Sequence, residues 1–221
     1  MKNAVPFLLL ACLLLVSCEQ DDHVVSDYHL QKVAQFAEEN KSKSSCEVVF
    51  LGDSLTDLYN VKDSYPQWDV LNRGIGGDRT YNVLDILPTS AYAVHPKVAI
   101  LQIGINDIFA GRTLDRIEKD YEQILSNIKE NLPDCKLIVE SLYPLTADCV
   151  VRLDEVKKFN PKILALTEKY SYPYVDMYTP LLDPETNELK TDYTVEGLHL
   201  TEEGYKVITA NLTPYIAAAL A

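Results

Sequence analysis

From residue 46 onward, short apolar runs alternate with longer amphipathic stretches, and few architectures accept that rhythm. The runs fall at Glu47–Leu51, Asp69–Asn72, Val98–Ile103, Leu137–Leu142 and Tyr174–Asp176, bounded by Gly, Asn or Pro. Their apolar character is continuous rather than alternating, the mark of strands buried on both faces of a parallel sheet. Between two of them, Thr113–Asn131 carries Leu114, Ile117, Tyr121, Ile124, Leu125 and Ile128 at helical spacing, with Pro133 just beyond. Val151–Tyr170 and Thr201–Leu220 read as two further helices, the latter capped by Thr201 ahead of Glu202 and Glu203. A leading helix over Tyr28–Asn40 precedes the first strand. The expectation is an α/β fold: a five-stranded parallel sheet in a three-layer α/β/α sandwich with right-handed crossovers. In such sheets ligands bind at the carboxyl ends of the strands, so residues just after each strand are the candidates for chemistry.

The chain has 221 residues, enough for one domain and a short leader, with no repeat or internal linker. Its formal charge is −13, and no Lys/Arg cluster interrupts the acidity, which excludes a nucleic-acid role. At the start, Lys2 is followed by the apolar run Ala4–Val16, shorter than the ~20 residues a spanning helix needs and suited to a secretory signal. Leu15-Val16-Ser17-Cys18 resembles the bacterial lipobox, which implies cleavage before Cys18 and acylation of that cysteine. The expected organisation is a signal peptide over residues 1–17, a tether over 18–27 and one domain over 28–221. The expected location is a bacterial membrane, at the outer membrane or cell surface, held by several acyl chains. The acidic run Glu19-Gln20-Asp21-Asp22 resembles the surface-export signals of some lipoproteins and is also common in plain tethers.

Behind Cys18 stand Cys46, Cys135 and Cys149, an odd number that excludes a disulfide scaffold. Cys135 precedes a strand and Cys149 follows it, and a strand length of ~20 Å is far beyond disulfide reach. No CxxC or HExxH spacing occurs, so neither a metal nor another cofactor is indicated.

Three segments follow strands and carry polar groups. Gly52-Asp53-Ser54-Leu55 places a hydroxyl at the end of the first strand, where a helix N-cap is the commoner use of serine. Asn72-Arg73-Gly74-Ile75-Gly76-Gly77-Asp78 is a glycine-dense turn whose N–H groups can approach a ligand closely. It lacks the pattern of a P-loop or dinucleotide fingerprint. Gly104-Ile105-Asn106-Asp107 offers an Asn amide in the same crevice. Of the histidines, His23 and His29 fall in the tether and leading helix, and His95 enters the third strand at the opposite edge. His199 alone can fold back over the crevice, and a serine needs such a base to become nucleophilic. No GxSxG elbow is present.

Four blocks in order resemble the SGNH/GDSL hydrolase family: Gly52-Asp53-Ser54-Leu55, Gly74-Ile75-Gly76-Gly77-Asp78, Gly104-Ile105-Asn106-Asp107 and Gly197-Leu198-His199-Leu200. They are most similar to its platelet-activating-factor acetylhydrolase-like and lysophospholipase-like branch. The resemblance implies a flavodoxin-like sheet and acyl-ester hydrolysis without a cofactor. It makes Ser54 the nucleophile and His199 its base. The N–H groups of Ser54 and Gly77, with the Asn106 side chain, become the oxyanion hole, and Asp53 and Asp107 become substrate-binding candidates. The family commonly has Asp three residues before the histidine, whereas Glu196 stands here, with Asp192 as the other candidate acid. No long apolar insertion separates the blocks, which favours a short acyl group such as acetyl on a glycan hydroxyl. A lysophospholipid or other lipid ester is the alternative, and a non-catalytic glycan-binding lipoprotein is a reading of another class. The expected partner is a small-molecule or glycan ester, and the sequence is silent on oligomeric state.

Overall fold

The computed structural model describes residues 23–146, 149 and 153–221. The signal peptide and Cys18 lie outside the described residues. Five parallel strands form one sheet: β1 (Val48–Gly52), β2 (Val70–Gly74), β3 (Val98–Gln102), β4 (Lys136–Glu140) and β5 (Tyr174–Val175), in the order β2-β1-β3-β4-β5. All of β1 and β3 is buried, as their unbroken apolar runs require. The register sets Gly52 beside Gly74 on one side and Gln102 on the other, so three strands end level with one another.

Helix α1 (Asp27–Asn40) leads, followed by the single turns α2 (Ser54–Asp57) and α3 (Val61–Ser64), then α4 (Thr80–Ser90), the short α5 (Ile105–Phe109), α6 (Leu114–Asn131), α7 (Leu153–Tyr170) and α8 (Glu202–Leu220). On α6 the predicted stripe holds: Ile117, Tyr121, Ile124, Leu125 and Ile128 are buried. Helix α8 starts one residue later than read, because Thr201 stays extended and accepts the Gly204 N–H. One layer is formed by α1, α4, α6 and α7, which pack side by side. The other holds α8, which packs on β3 and β4, with α2 and α3 beside it through the stacked rings of Tyr59 and Tyr205.

The chain winds from β1 outward to β2 and back past β1 to β3, so loops after β1 and β3 leave in opposite directions. The crevice at that reversal is where this class of sheet binds its ligands. Helix α1 is bound into the fold. Phe36, 1% exposed, packs with Ile75 and Ile86, and the buried Arg73 guanidinium lies 4.6 Å from its ring. Arg73 also pairs with Glu39 and donates to Asn40 at 2.9 Å. Cys46 and Cys135 are buried free thiols, and burial pushes both up to about 12.

Candidate active site

β1 delivers Ser54 to the crevice, and Asp53 begins the turn that follows by accepting the Leu55 N–H at 3.0 Å. Ser54 Oγ lies 2.9 Å from His199 Nε2 across 145 residues of sequence. Behind the ring, Glu196 Oε1 takes His199 Nδ1, and the same oxygen accepts the His199 backbone N–H at 3.0 Å. In the tautomer that donates Nδ1–H to the carboxylate, Nε2 presents its lone pair to the Ser54 hydroxyl. The three side chains form one relay from carboxylate to hydroxyl.

A tight loop fixes this geometry. Gly197 has φ +96°, and a Cβ there would stand 2.1 Å from Thr146 Oγ1, so both conformation and space call for glycine. Thr194 Oγ1 accepts the Gly197 N–H at 2.7 Å and donates to the His199 carbonyl at 2.9 Å, closing the loop on itself. Asp192 takes no part. Among the described residues its exposed carboxylate reaches only Lys190, at 3.9 Å. Of the two candidate acids, the fold brings Glu196 to the histidine.

Gly77 and Asn106 arrive from β2 and β3. Gly77 has φ +85°, and no atom lies within 4 Å of where its Cβ would be, so its backbone faces open space. Ser54 Cβ is 3.9 Å from the corresponding point on Gly76, which sets the glycine turn against the serine. The Asn106 amide donates one N–H to the Asp78 carbonyl at 3.0 Å, and its Nδ2 carries a second.

Asp53 and Asp107, expected to touch substrate, do not reach the surface: both are wholly buried. Asp107 accepts the Thr80 N–H at 2.9 Å and the Thr80 hydroxyl at 2.8 Å, and pairs with Arg112 at 2.5 Å. It joins β3's end to α4 rather than to a ligand. Asp53 Oδ2 has no partner among the described residues, and burial, then the neighbouring Asp107 and Asp78, push its carboxyl up to about 7.

One histidine that the sequence places on the leading helix packs behind the glycine turn. His29, 5% exposed on α1, meets Asp78 at 2.8 Å. The signal was present in the sequence: His29, Val33, Phe36 and Asn40 share one helical face, and Val33 and Phe36 on it pack into an apolar cluster. An open groove of about 1010 Å³ also runs from His199 and Glu196 between the α2–α3 segment and α8. Leu58, 60% exposed, and Val195, 72% exposed, flank it. It arises from packing between elements, not from the inserted lid that a sequence scan looks for. Among the described residues no His/Cys/Asp/Glu group could hold a metal ion, and no helix is long and apolar enough to cross a membrane.

Comparison with known proteins adds to this geometry. The family model described as GDSL-like Lipase/Acylhydrolase family matches residues 50–207. No curated protein matches the chain. Among solved structures, a proposed acylhydrolase from Bacteroides fragilis superposes with a TM-score of 0.79 at 23% identity, covering 89% of this chain and 100% of its own. A GDSL-like lipase from Bacteroides thetaiotaomicron gives 0.77 at 23%, covering 85% and 98%. The acetylxylan esterase Axe2 from Geobacillus stearothermophilus gives 0.65 at 15%, covering 79% and 95%. At these identities the likeness establishes a shared fold.

Proposed function

We propose, for a chain that belongs to the GDSL-like lipase/acylhydrolase family, a serine esterase that passes an acyl group from its substrate to Ser54 and then to water. Membership makes the protein a hydrolytic esterase or lipase; the assignment of roles to residues is our reading. Its main support is the relay from Glu196 through His199 to Ser54. His199 Nε2 takes the hydroxyl proton as Oγ attacks the ester carbonyl, then returns it to the leaving alcohol. Water repeats the cycle on the acyl-enzyme. The negative oxygen of each tetrahedral intermediate is held by the N–H groups of Ser54 and Gly77 and by Asn106 Nδ2, donors fixed before reaction begins. Glu196 holds the imidazole in the required tautomer and stabilises the imidazolium.

We assign the substrate as a short acyl ester, acetyl on a glycan hydroxyl in particular. The absence of an inserted lid in the sequence supports this, as does the shared fold with proteins described as acetylxylan esterases. A second reading, a lysophospholipase or other lipid acylhydrolase, is favoured by the groove beside His199 with its exposed Leu58 and Val195. We assign Cys18 as the lipidated residue that holds the mature domain at a bacterial membrane, on the strength of Leu15-Val16-Ser17-Cys18. A fluorophosphonate probe is expected to label Ser54 in the wild type and to fail on Ser54→Ala; persistent labelling of another serine would displace the assignment. On p-nitrophenyl esters from acetyl to palmitoyl, kcat/KM should be highest for the shortest chains. A maximum at long chains would transfer the role to the lipid reading.

A further inference from the structure

The glycine turn beside Ser54 is anchored by Ile75, buried against Phe36 of α1, and two further ties lead from it to the same helix. At one end, Asp57 Oδ2 accepts the Gly76 N–H at 3.1 Å and the Tyr28 hydroxyl at 2.7 Å, while Lys32 Nζ holds Asp57 Oδ1 at 2.8 Å. At the other end stands Asp78. Its carbonyl receives the Asn106 amide at 3.0 Å, and its buried carboxyl takes His29 Nδ1 at 2.8 Å. One residue therefore touches both non-serine oxyanion donors, being bonded to Asn106 and next in chain to Gly77. The described anchor of that residue's side chain is His29, since Asp78 Oδ2 has no partner among the described residues.

We infer that α1 belongs to the ester-cleaving apparatus, with His29 as a positioning residue that holds the Gly77 and Asn106 donors through Asp78. The inference rests on the esterase reading above. Gly77 sits at φ +85° with nothing packed where a Cβ would be, so its N–H direction depends on what ties its neighbours. Removing the His29 donor leaves a buried carboxyl unpaired, and the turn relaxes to reach another donor or water. Displacing catalytic donors by about 1 Å costs on the order of 10²-fold in rate. The loss falls on kcat, because oxyanion bonds strengthen only in the transition state.

The test uses the full chain, p-nitrophenyl acetate and steady-state kinetics, with thermal unfolding as a control for folding. His29→Leu should lower kcat at least ~10-fold with KM within about twofold of wild type. His29→Asn, whose Nδ2 can stand where Nδ1 stood and donate to Asp78, should recover most of that loss. In a cycle with Asn106→Ala, the double variant should lose clearly less than the product of the two single losses, because both act on one hole. Should His29→Leu fail to fold, the pair Tyr28→Phe and Lys32→Ala frees Asp57 at the rim and should lower kcat several-fold at unchanged KM. A wild type lacking Ser54-dependent turnover overturns the esterase reading and this inference together. With Ser54-dependent turnover intact, three results overturn the inference alone: full turnover in His29→Leu or in the Tyr28→Phe/Lys32→Ala pair, a loss confined to KM, or His29→Asn as poor as His29→Leu.

Discussion

Ser54 and His199 are readable from the sequence because the strand-end rule leaves one serine after the first strand and one histidine near enough to serve it. Glu196 was readable only as one of two acids. A carboxylate three residues back meets Nδ1 provided that the backbone turns sharply, and Gly197 at φ +96° supplies that turn. Asp53 and Asp107 failed for a different reason. A polar residue in a strand-end turn looks the same in sequence whether its side chain faces the crevice or the core, and direction at a turn depends on atoms from other segments. For Asp107 those atoms are Thr80 and Arg112. The relay predicts that Glu196→Gln loses at least ~10-fold in kcat, within the ~10⁴ that loss of an orienting carboxylate can cost. Asp192→Asn should stay near wild type. Kinetics on p-nitrophenyl acetate check both, and a damaged Asp192→Asn beside an intact Glu196→Gln would reverse the assignment.

Strands and long helices were legible wherever burial was one-sided or complete over several residues, as in β1, β3 and α6. Helix α4 was not. Seven of its eleven residues are buried, polar Thr80, Asn82 and Ser90 among them, and Pro88 interrupts it, so it shows neither an amphipathic stripe nor a clean apolar run. Helix α1 is legible as an element, but its inward face carries a histidine and an asparagine beside Val33 and Phe36, so the sequence alone does not show how deeply it packs. Phe36 tests that element directly. Phe36→Ala empties a site bounded by Ile75, Ile86 and Val33, and should cost about 3–5 kcal/mol. Urea unfolding measures it; a cost below about 1 kcal/mol would mean that α1 lies loosely on the domain.

At the scale of the whole molecule, the acidity that the composition announced is not confined to the surface. Glu140, at the end of β4, is wholly buried with the Tyr143 hydroxyl 2.6 Å away, and burial pushes its carboxyl from 4.5 to about 7. Asp53 is pushed the same way. The unfolded chain releases these protons near pH 4, while the folded chain keeps them to about 7. Through these two groups the folded state binds more protons across that interval, and their contribution to stability falls as pH rises from about 4 to about 7, then levels off. For Glu140 alone the change is on the order of 3 kcal/mol. Glu140→Gln keeps an acceptor for Tyr143 and cannot ionise. Its melting temperature should therefore drop less than that of the wild type between pH 5 and pH 8, with esterase activity unaffected. Equal drops in the two proteins would assign the pH dependence elsewhere.

The sequence separation of 145 between Ser54 and His199 also sets a clock. The β1–β2–β3 ladder uses residues 48–102 and can pair while the rest of the chain is still being made. The histidine arrives just before α8, whose Tyr205 hydroxyl docks on the Leu55 carbonyl at 2.8 Å. Until that last segment settles, Ser54 lacks the imidazole that the proposed mechanism gives it as base. On that mechanism the enzyme is silent for almost all of its synthesis, and a nascent or clipped chain with a well-formed sheet is expected to leave esters untouched.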